Sequence, residues 1–258
     1  MVDKLFEELA ALPQVEAIAL GGSRAGTAFD EKSDYDVYLY CTADISDDAR
    51  NAILTKYCSY VELGNHYWEL EDNCTLNDGI DIDILYRNLD DIVAQVASVV
   101  EHYNAHNGYT TCLWHNIKTC KIVFDRNGRL AEVKQRFDVP YPDELRKNII
   151  ARNMNLLHGT MPAYDGQVAK AVKRGDLVSI NHRTAAFIES YFDVIFAYNR
   201  LTHPGEKRLV QLCKRDCAVL PRDFEENLNR LFAQMFVKSD SLAKILQAIY
   251  ENLQEMLK

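Results

Sequence analysis

The fold is decided by the stretch LGGSRAGTAFDEKSDYDVYLY, residues 20–40. The apolar run Val15–Leu20 leads into it and is typical of a β-strand. Gly21 and Gly22 let the backbone turn sharply and approach a ligand closely. We expect Ser23 to open a helix. The backbone amides and the hydroxyl at such a helix start would form an anion site that suits phosphate.

Two aspartates follow this turn, at the start of the next predicted strand. Asp34 and Asp36 are separated by one residue and lead into the apolar run Val37–Cys41. Residues i and i+2 of a strand face the same side, so the two carboxylates would point together, next to the turn. Paired carboxylates beside an apolar strand are costly unless a cation neutralises them. Mg²⁺ fits this pattern, because it takes a few carboxylates together with substrate phosphates.

A further acidic strand is predicted over Ile80–Tyr86, with Asp81 and Asp83 on one face and isoleucines on the other. Three or four carboxylates converging near a phosphate cradle would suit a two-metal transfer of a nucleotide. Each element also has a structural interpretation when it is taken singly: a plain turn, solvated aspartates before a strand, or the wet face of an edge strand. The order and spacing of all three favour a site.

The hydrophobic pattern divides the chain into two parts. Short apolar runs of strand length, interleaved with helical stretches, continue to residue 124, whereas the chain beyond about residue 128 shows helical periodicity alone. We therefore predict an α+β protein, with a mixed-sheet α/β core followed by an all-α helical bundle. The segment Asp138–Pro142 has the composition of a linker and separates domains 1–137 and 138–258. The predicted strands are Val15–Leu20, Val37–Cys41, Tyr60–Leu63, Ile80–Tyr86 and Lys121–Phe124, and the helices between them include Asp47–Cys58 and Leu89–Tyr103.

Acidic charge is concentrated in the first part of the chain. The formal net charge over 258 residues is −9, but residues 1–130 hold 22 acidic and 10 basic side chains, a net of −12. Such a surface repels a nucleic-acid backbone and would attract cations, although a solvated acidic face is the plainer interpretation. No apolar run approaches the ~20 residues that span a bilayer, and the N-terminus lacks a signal-peptide pattern. We expect a cytoplasmic protein with neither a nucleic-acid nor a membrane partner.

The Gly-Gly-Ser turn, the Asp-x-Asp pair entering a strand and the later apolar-Asp-apolar strand together resemble the nucleotidyltransferase superfamily, which has the DNA polymerase beta-like fold. Within it, a catalytic domain of this size followed by helices is similar to the aminoglycoside and lincosamide nucleotidyltransferases and their bacterial relatives. The motifs cover residues 14–87, and the remainder matches in length and architecture. The resemblance implies transfer of a nucleoside monophosphate, AMP from ATP in the first instance, to a hydroxyl of a small molecule, with release of pyrophosphate. An antibiotic would be one such acceptor.

The resemblance assigns roles to the residues of the first two motifs. Gly22 and Ser23 would hold the β- and γ-phosphates of a nucleoside triphosphate, which is ATP or another triphosphate. Asp34 and Asp36 would bind Mg²⁺, of which the resemblance implies two ions.

The third metal-binding carboxylate falls on Asp83 or Asp81. We prefer Asp83, because the family motif has a single Asp followed by an apolar run, here Ile84–Tyr86. It would also help to deprotonate the acceptor hydroxyl. Arg24 would contact a phosphate or lie on a helix surface. Related enzymes place a lysine of the helical domain on the triphosphate, which makes Lys207 a candidate, with a plain surface lysine as the alternative.

Two other functions stay open on the sequence. One is a nucleotidyltransferase that modifies proteins, of the kind found in toxin–antitoxin pairs. Those enzymes are commonly minimal domains, so the additional helical residues of this chain argue against this function. The other is a nucleotide-binding module without catalysis, against which the retained aspartates argue.

Overall fold

The computed structural model describes residues 2–25, 33–67, 69–159, 161–237 and 241–258. The chain divides into two compact units, Met1–Ala97 with Asn116–Val139 and Ser98–His115 with Pro140–Lys258. The functional boundary between residues 137 and 138 stays a prediction, because these units are defined by packing and not by activity.

Six strands of the first unit form one sheet. They are β1 (Val15–Leu20), β2 (Tyr35–Cys41), β3 (Cys58–Asn65), β4 (Glu71–Leu76), β5 (Asp81–Arg87) and β6 (Lys121–Asp125). Their order in the sheet is β3-β4-β5-β2-β1-β6. The strands β2 and β5 run parallel, whereas the other four neighbouring pairs are antiparallel. The predicted mixed sheet is therefore confirmed.

Eleven α-helices accompany the sheet in the described parts of the chain. They are α1 (Val2–Ala11), α2 (Asp47–Leu54), α3 (Leu89–Val100), α4 (Cys112–Thr119), α5 (Arg129–Arg136), α6 (Asp143–Leu157), α7 (Tyr164–Arg174), α8 (Leu177–Tyr198), α9 (Leu209–Asp216), α10 (Phe224–Gln234) and α11 (Ser241–Met256). The last six belong to the second unit, so the predicted α+β class with a helical second part is confirmed. None of the helices in these described parts is both long and apolar enough to cross a membrane.

The core of the first unit explains why the acidic side chains of β5 stay accessible. Ile82 and Ile84 are fully buried and pack with the apolar residues of α1, β1 and β2. Asp81 and Asp83 alternate with them on the opposite face, where Asp81 is exposed and Asp83 is half-buried. The alternation of the sequence thus decides which face of the sheet carries carboxylates.

The sequence pattern does not predict β4. Its buried positions are Asp72, Cys74 and Leu76, so a charged residue interrupts the apolar alternation. The carboxylate of Asp72 is satisfied inside the protein, because it accepts hydrogen bonds from Arg50 Nη1 at 2.6 Å and from the Tyr86 hydroxyl at 2.8 Å. Burial, and then the nearby Asp72 carboxylate, raise the pKa of Tyr86 well above its ordinary value.

Two predicted helices end earlier than expected. The predicted helix Asp47–Cys58 ends at Leu54, because Cys58 already begins β3. The predicted helix Leu89–Tyr103 ends at Val100, and Tyr103 has a positive φ of 58°, which an α-helix cannot accommodate.

The second unit contains the amphipathic helix that the sequence predicts at its C-terminal end. The buried side chains of α11 recur every three or four residues: Leu242, Ile245, Leu246, Ile249, Leu253 and Met256. Gly175 ends α7 with a left-handed conformation, and Asp176 caps α8 by accepting a hydrogen bond from the Ser179 amide at 3.0 Å. A glycine stop and an aspartate cap of this kind are typical of helix ends.

Candidate active site

Asp36 and Asp83 face each other across two neighbouring parallel strands. In the register of β2 and β5, Asp36 is the direct partner of Asp83. Partners in adjacent strands lie about 4.8 Å apart and project to the same face of the sheet. Both side chains are half-buried. The sheet therefore brings together two carboxylates that are 47 positions apart in the sequence, as the difference between their numbers shows.

The glycine turn after β1 lies directly against this pair. The amide of Gly21 donates a hydrogen bond to the carbonyl of Asp36 at 2.7 Å. Gly22 has a φ of +53°, and a Cβ added to it would stand 1.8 Å from Asp36 Oδ2. A Cβ on Gly21 would stand 2.5 Å from the ring of Tyr38. A Cβ at either position would therefore force the neighbouring side chain to shift, and the left-handed φ of Gly22 also favours glycine.

Ser23 and Arg24 form a single turn of 3₁₀ helix, Ser23–Ala25, and Ser23 is exposed. The longer helix that we expect to open at Ser23 would continue into residues 26–32, which lie outside the described residues. Arg24 Nε donates to the carbonyl of Ser33 at 2.7 Å, and its guanidinium lies 3.7 Å from the centroid of the Tyr35 ring. Arg24 therefore fixes the backbone that enters β2.

The two remaining candidate carboxylates, Asp34 and Asp81, are exposed. Asp34 precedes β2, whose first register pair joins Tyr35 to Ile82. Asp81 is the first residue of β5 and accepts a hydrogen bond from the Thr75 hydroxyl at 2.8 Å. It therefore lies one pleat further along the sheet than the Asp36–Asp83 pair.

A row of polar residues that the sequence patterns do not mark contacts Asp83 from the side opposite Asp36. Asn73, on β4, is the register partner of Asp83, and its Nδ2 donates to Asp83 Oδ1 at 2.7 Å. Asn65 Nδ2 in turn donates to Asn73 Oδ1 at 3.0 Å. No local signal marks these residues, because their importance depends on which strands pair. The prediction of β4 itself would have been the way to find Asn73.

The donor set of Asp36 and Asp83 fits a magnesium ion. Mg²⁺ is held by one or two carboxylates plus substrate phosphates, and two ionised carboxylates in register supply acceptor oxygens alone. Over the described ranges, no group of three or more His, Cys, Asp or Glu side chains is close enough to hold a metal. The four predicted carboxylates, those of Asp34, Asp36, Asp81 and Asp83, thus do not form one cluster there. Only Asp36 and Asp83 are register partners.

Lys207, in the second unit, is exposed and precedes α9. The helix α9 begins at Leu209, after Arg208 in a left-handed conformation. Beneath the preceding loop lies His203, which is fully buried and accepts a hydrogen bond from the Gly205 amide at 3.2 Å. Burial lowers the pKa of His203 to about 3, so this histidine is neutral near pH 7.

A buried carboxylate of α8, Asp193, stabilises the second unit. It accepts hydrogen bonds from the Thr110 hydroxyl at 2.6 Å, the Thr110 amide at 3.2 Å and Asn153 Nδ2 at 3.1 Å. Burial raises the pKa of Asp193 to about 6 despite these bonds, which lower it. The hydrogen bonds of Asp193, on α8, therefore connect the segment around Thr110 with Asn153 on α6.

Comparison with known proteins gives one family and several structures. The family matches residues 110–209 and is described as "Domain of unknown function (DUF4037)". No curated protein matches the chain.

Three solved structures are similar to the chain at low identity. A nucleotidyltransferase-like protein from Exiguobacterium sibiricum 255-15 is 11% identical with a TM-score of 0.44, covering 100% of this chain and 74% of that one. An aminoglycoside 6-adenyltransferase from Bacillus subtilis is 11% identical with a TM-score of 0.31, covering 100% and 90%. The Thermotoga maritima CCA-adding enzyme, complexed with tRNA, is 10% identical with a TM-score of 0.28, covering 99% and 80%.

These TM-scores lie below 0.5, so the three likenesses identify neither a substrate nor a reaction for this chain. The evidence for a function comes from residues of this chain: the glycine turn lies against Asp36, and Asp83 is the register partner of Asp36. In these features of its own residues the chain resembles the nucleotidyltransferase superfamily.

Proposed function

We propose that this protein is a metal-dependent nucleotidyltransferase that transfers AMP from ATP to a hydroxyl group of a small molecule. One observation carries the proposal: Asp36 and Asp83 are register partners on parallel strands, and the Gly22 backbone is pressed against the Asp36 carboxylate. A glycine backbone next to paired carboxylates suits a triphosphate and its cation, because phosphates can approach a backbone without side chains and carboxylates bind Mg²⁺.

Asp36 and Asp83 would hold Mg²⁺ against the triphosphate, and Asp34, which is exposed two residues before Asp36, is the further ligand that we propose. When bound, the ions neutralise the charge of the phosphates and of the leaving pyrophosphate. Gly22 and Ser23 would bind the β- and γ-phosphates through their backbone and hydroxyl groups. Arg24 contacts the backbone of Ser33 and the ring of Tyr35, at the start of β2. It would contribute to phosphate binding indirectly, by fixing this segment.

The chemistry is a single displacement at the α-phosphorus. The acceptor oxygen forms a bond to this phosphorus, the bond to the β-phosphate oxygen breaks, and pyrophosphate leaves. The proton of the acceptor hydroxyl would pass to Asp83, whose half-buried side chain lies on the face of β5 opposite the buried isoleucines. Lys207 is the basic residue that we propose for the triphosphate.

A small-molecule acceptor agrees better with the charge of this protein than a nucleic acid does. Residues 1–130 carry a net charge of −12, which repels a phosphate backbone. The same charge would attract a cationic acceptor, and a cationic antibiotic is one member of that class.

The test uses ATP labelled at the α-phosphate, Mg²⁺ and a panel of small hydroxyl compounds, neutral and cationic. We expect labelled product with one of them, together with released pyrophosphate and a higher melting temperature with Mg-ATP, since a ligand of the folded state stabilises it. The Asp36→Asn variant is the matched control and should give neither product nor pyrophosphate. If none of the four common triphosphates shifts the melting temperature or releases pyrophosphate, the proposal is wrong. Label on protein instead would identify a protein-modifying enzyme.

A further inference from the structure

We propose that Asn73 is a positioning residue that fixes the carboxylate of Asp83 for cation binding, with Asn65 as the next link. This inference rests on the proposed function, since it concerns the same carboxylate pair. It extends the site from β2 and β5 to the neighbouring strands β4 and β3, which contain none of the sequence motifs.

The hydrogen bonds have one possible direction. A carboxylate of Asp83 can only accept, so Asn73 must turn its amide nitrogen toward it, and the 2.7 Å contact joins Nδ2 to Oδ1. The carbonyl oxygen of Asn73 then faces Asn65, whose Nδ2 donates to it at 3.0 Å. Both ends of the Asn73 amide are therefore held, and its side chain cannot rotate without breaking a bond.

The register shows what this orientation achieves. Asn73, Asp83 and Asp36 occupy one row across β4, β5 and β2. Asn73 thus holds Asp83 from the side opposite Asp36. A donor on Oδ1 leaves Oδ2 available to a cation. Partners of this kind orient metal ligands, and their loss typically weakens metal affinity ~10–100-fold.

The next row of the same strands supplies a matched control. Thr75 lies two residues from Asn73 on the same face of β4, and its hydroxyl donates to Asp81 at 2.8 Å. Removal of this hydroxyl also breaks one side-chain hydrogen bond between β4 and β5, but it affects a carboxylate that is not paired with Asp36.

The experiment measures Mn²⁺ binding by the electron paramagnetic resonance of the free ion, with the full chain and the non-hydrolysable analogue α,β-methylene-ATP. Wild type, Asn73→Ala, Asn65→Ala and Thr75→Val are compared, and thermal melting without metal reports folding. We expect Asn73→Ala to raise the Mn²⁺ Kd about 10–100-fold. Asn65→Ala should raise it by a smaller factor, and Thr75→Val should stay within twofold of wild type.

Each outcome decides a different statement. If wild type binds Mn²⁺ and Asn73→Ala binds it equally well, the positioning role is wrong and the proposed function stands. Equal losses in Asn73→Ala and Thr75→Val would overturn it too, since a general disturbance of β4 would then explain both. If wild type itself binds no Mn²⁺ with the analogue, the proposed function falls and the inference with it. Should Asn73→Ala not fold, Asn65→Ala decides, and an unchanged Kd there overturns the role.

Discussion

Gly22 lies against Asp36 so closely that a methyl group on its Cα would stand 1.8 Å from Asp36 Oδ2. The carboxylate can hold its place beside the turn because position 22 has no side chain. The φ of +53° at Gly22 adds a second reason, since L-residues other than glycine are strained in the left-handed region. Glycine at this position thus allows the conformation of the turn and also leaves space for the Asp36 carboxylate.

The first prediction compares two glycines with similar backbone conformations. Gly22→Ala should lose about 1–3 kcal/mol of unfolding free energy from strain and should displace Asp36. Gly128→Ala, at a φ of +73° with nothing within 4 Å of the added Cβ, should lose stability through strain alone. We expect Mg-ATP to raise the melting temperature of the Gly128 variant as in wild type and to leave that of the Gly22 variant unchanged. A Gly22 variant that responds normally to Mg-ATP would contradict the role of this contact.

The second prediction separates catalysis from folding. Asp36→Asn removes one of two like charges that face each other on neighbouring strands, and such pairs destabilise a sheet by about 0.2–1 kcal/mol. The variant without ligand should therefore be as stable as wild type or slightly more stable in urea unfolding, while its transfer activity is lost. Asp34→Asn should also lose activity without losing stability. A marked loss of stability in the Asp36 variant would show that this carboxylate is structural.

The third prediction concerns pH. The pKa of Asp193 is about 6 in the folded protein and near 3.8 when unfolded, so the folded state binds the proton more tightly. The contribution of Asp193 to stability is complete below about pH 3.8 and is lost as the pH rises through 6. Its neighbours Cys112 and Tyr141 do not titrate in this window, since burial raises the pKa of Cys112 to about 12 and that of Tyr141 further.

The measurement for Asp193 is urea unfolding of wild type and Asp193→Asn at several values of pH. The free energy of unfolding of wild type relative to the variant should fall by about 3 kcal/mol between pH 3.8 and pH 7, at ~1.4 kcal/mol per pKa unit. The difference is the useful quantity because other groups titrate equally in both proteins. A difference that does not change with pH would show that Asp193 has an ordinary pKa.

The short-range parts of the site could be predicted from the sequence, whereas the strand pairing could not. Gly22 and Asp36 stand out because a glycine turn and a carboxylate at the start of an apolar strand are local patterns. That Asp36 pairs with Asp83 follows from the parallel register of β2 and β5, which is set by packing across the sheet. The same holds for Asn73, since the charge of Asp72, buried with Arg50, conceals the strand on which it lies.

The last prediction decides between the two carboxylates of β5. Asp81 and Asp83 project to the same face, about 6.5–7 Å apart along the strand, so only one of them can be level with Asp36. The register gives that place to Asp83, whereas Asp81 is exposed and bonded to Thr75. Asp83→Ala should therefore lower turnover by about 10²–10⁴-fold or more, because a positioned base and a metal ligand are lost together. Asp81→Ala should keep turnover within about tenfold of wild type and act mainly on the affinity for the acceptor. Turnover is measured at saturating Mg²⁺ with the same acceptor for both variants. The opposite ranking would move the catalytic role to Asp81, and equally mild effects would remove β5 from the active site.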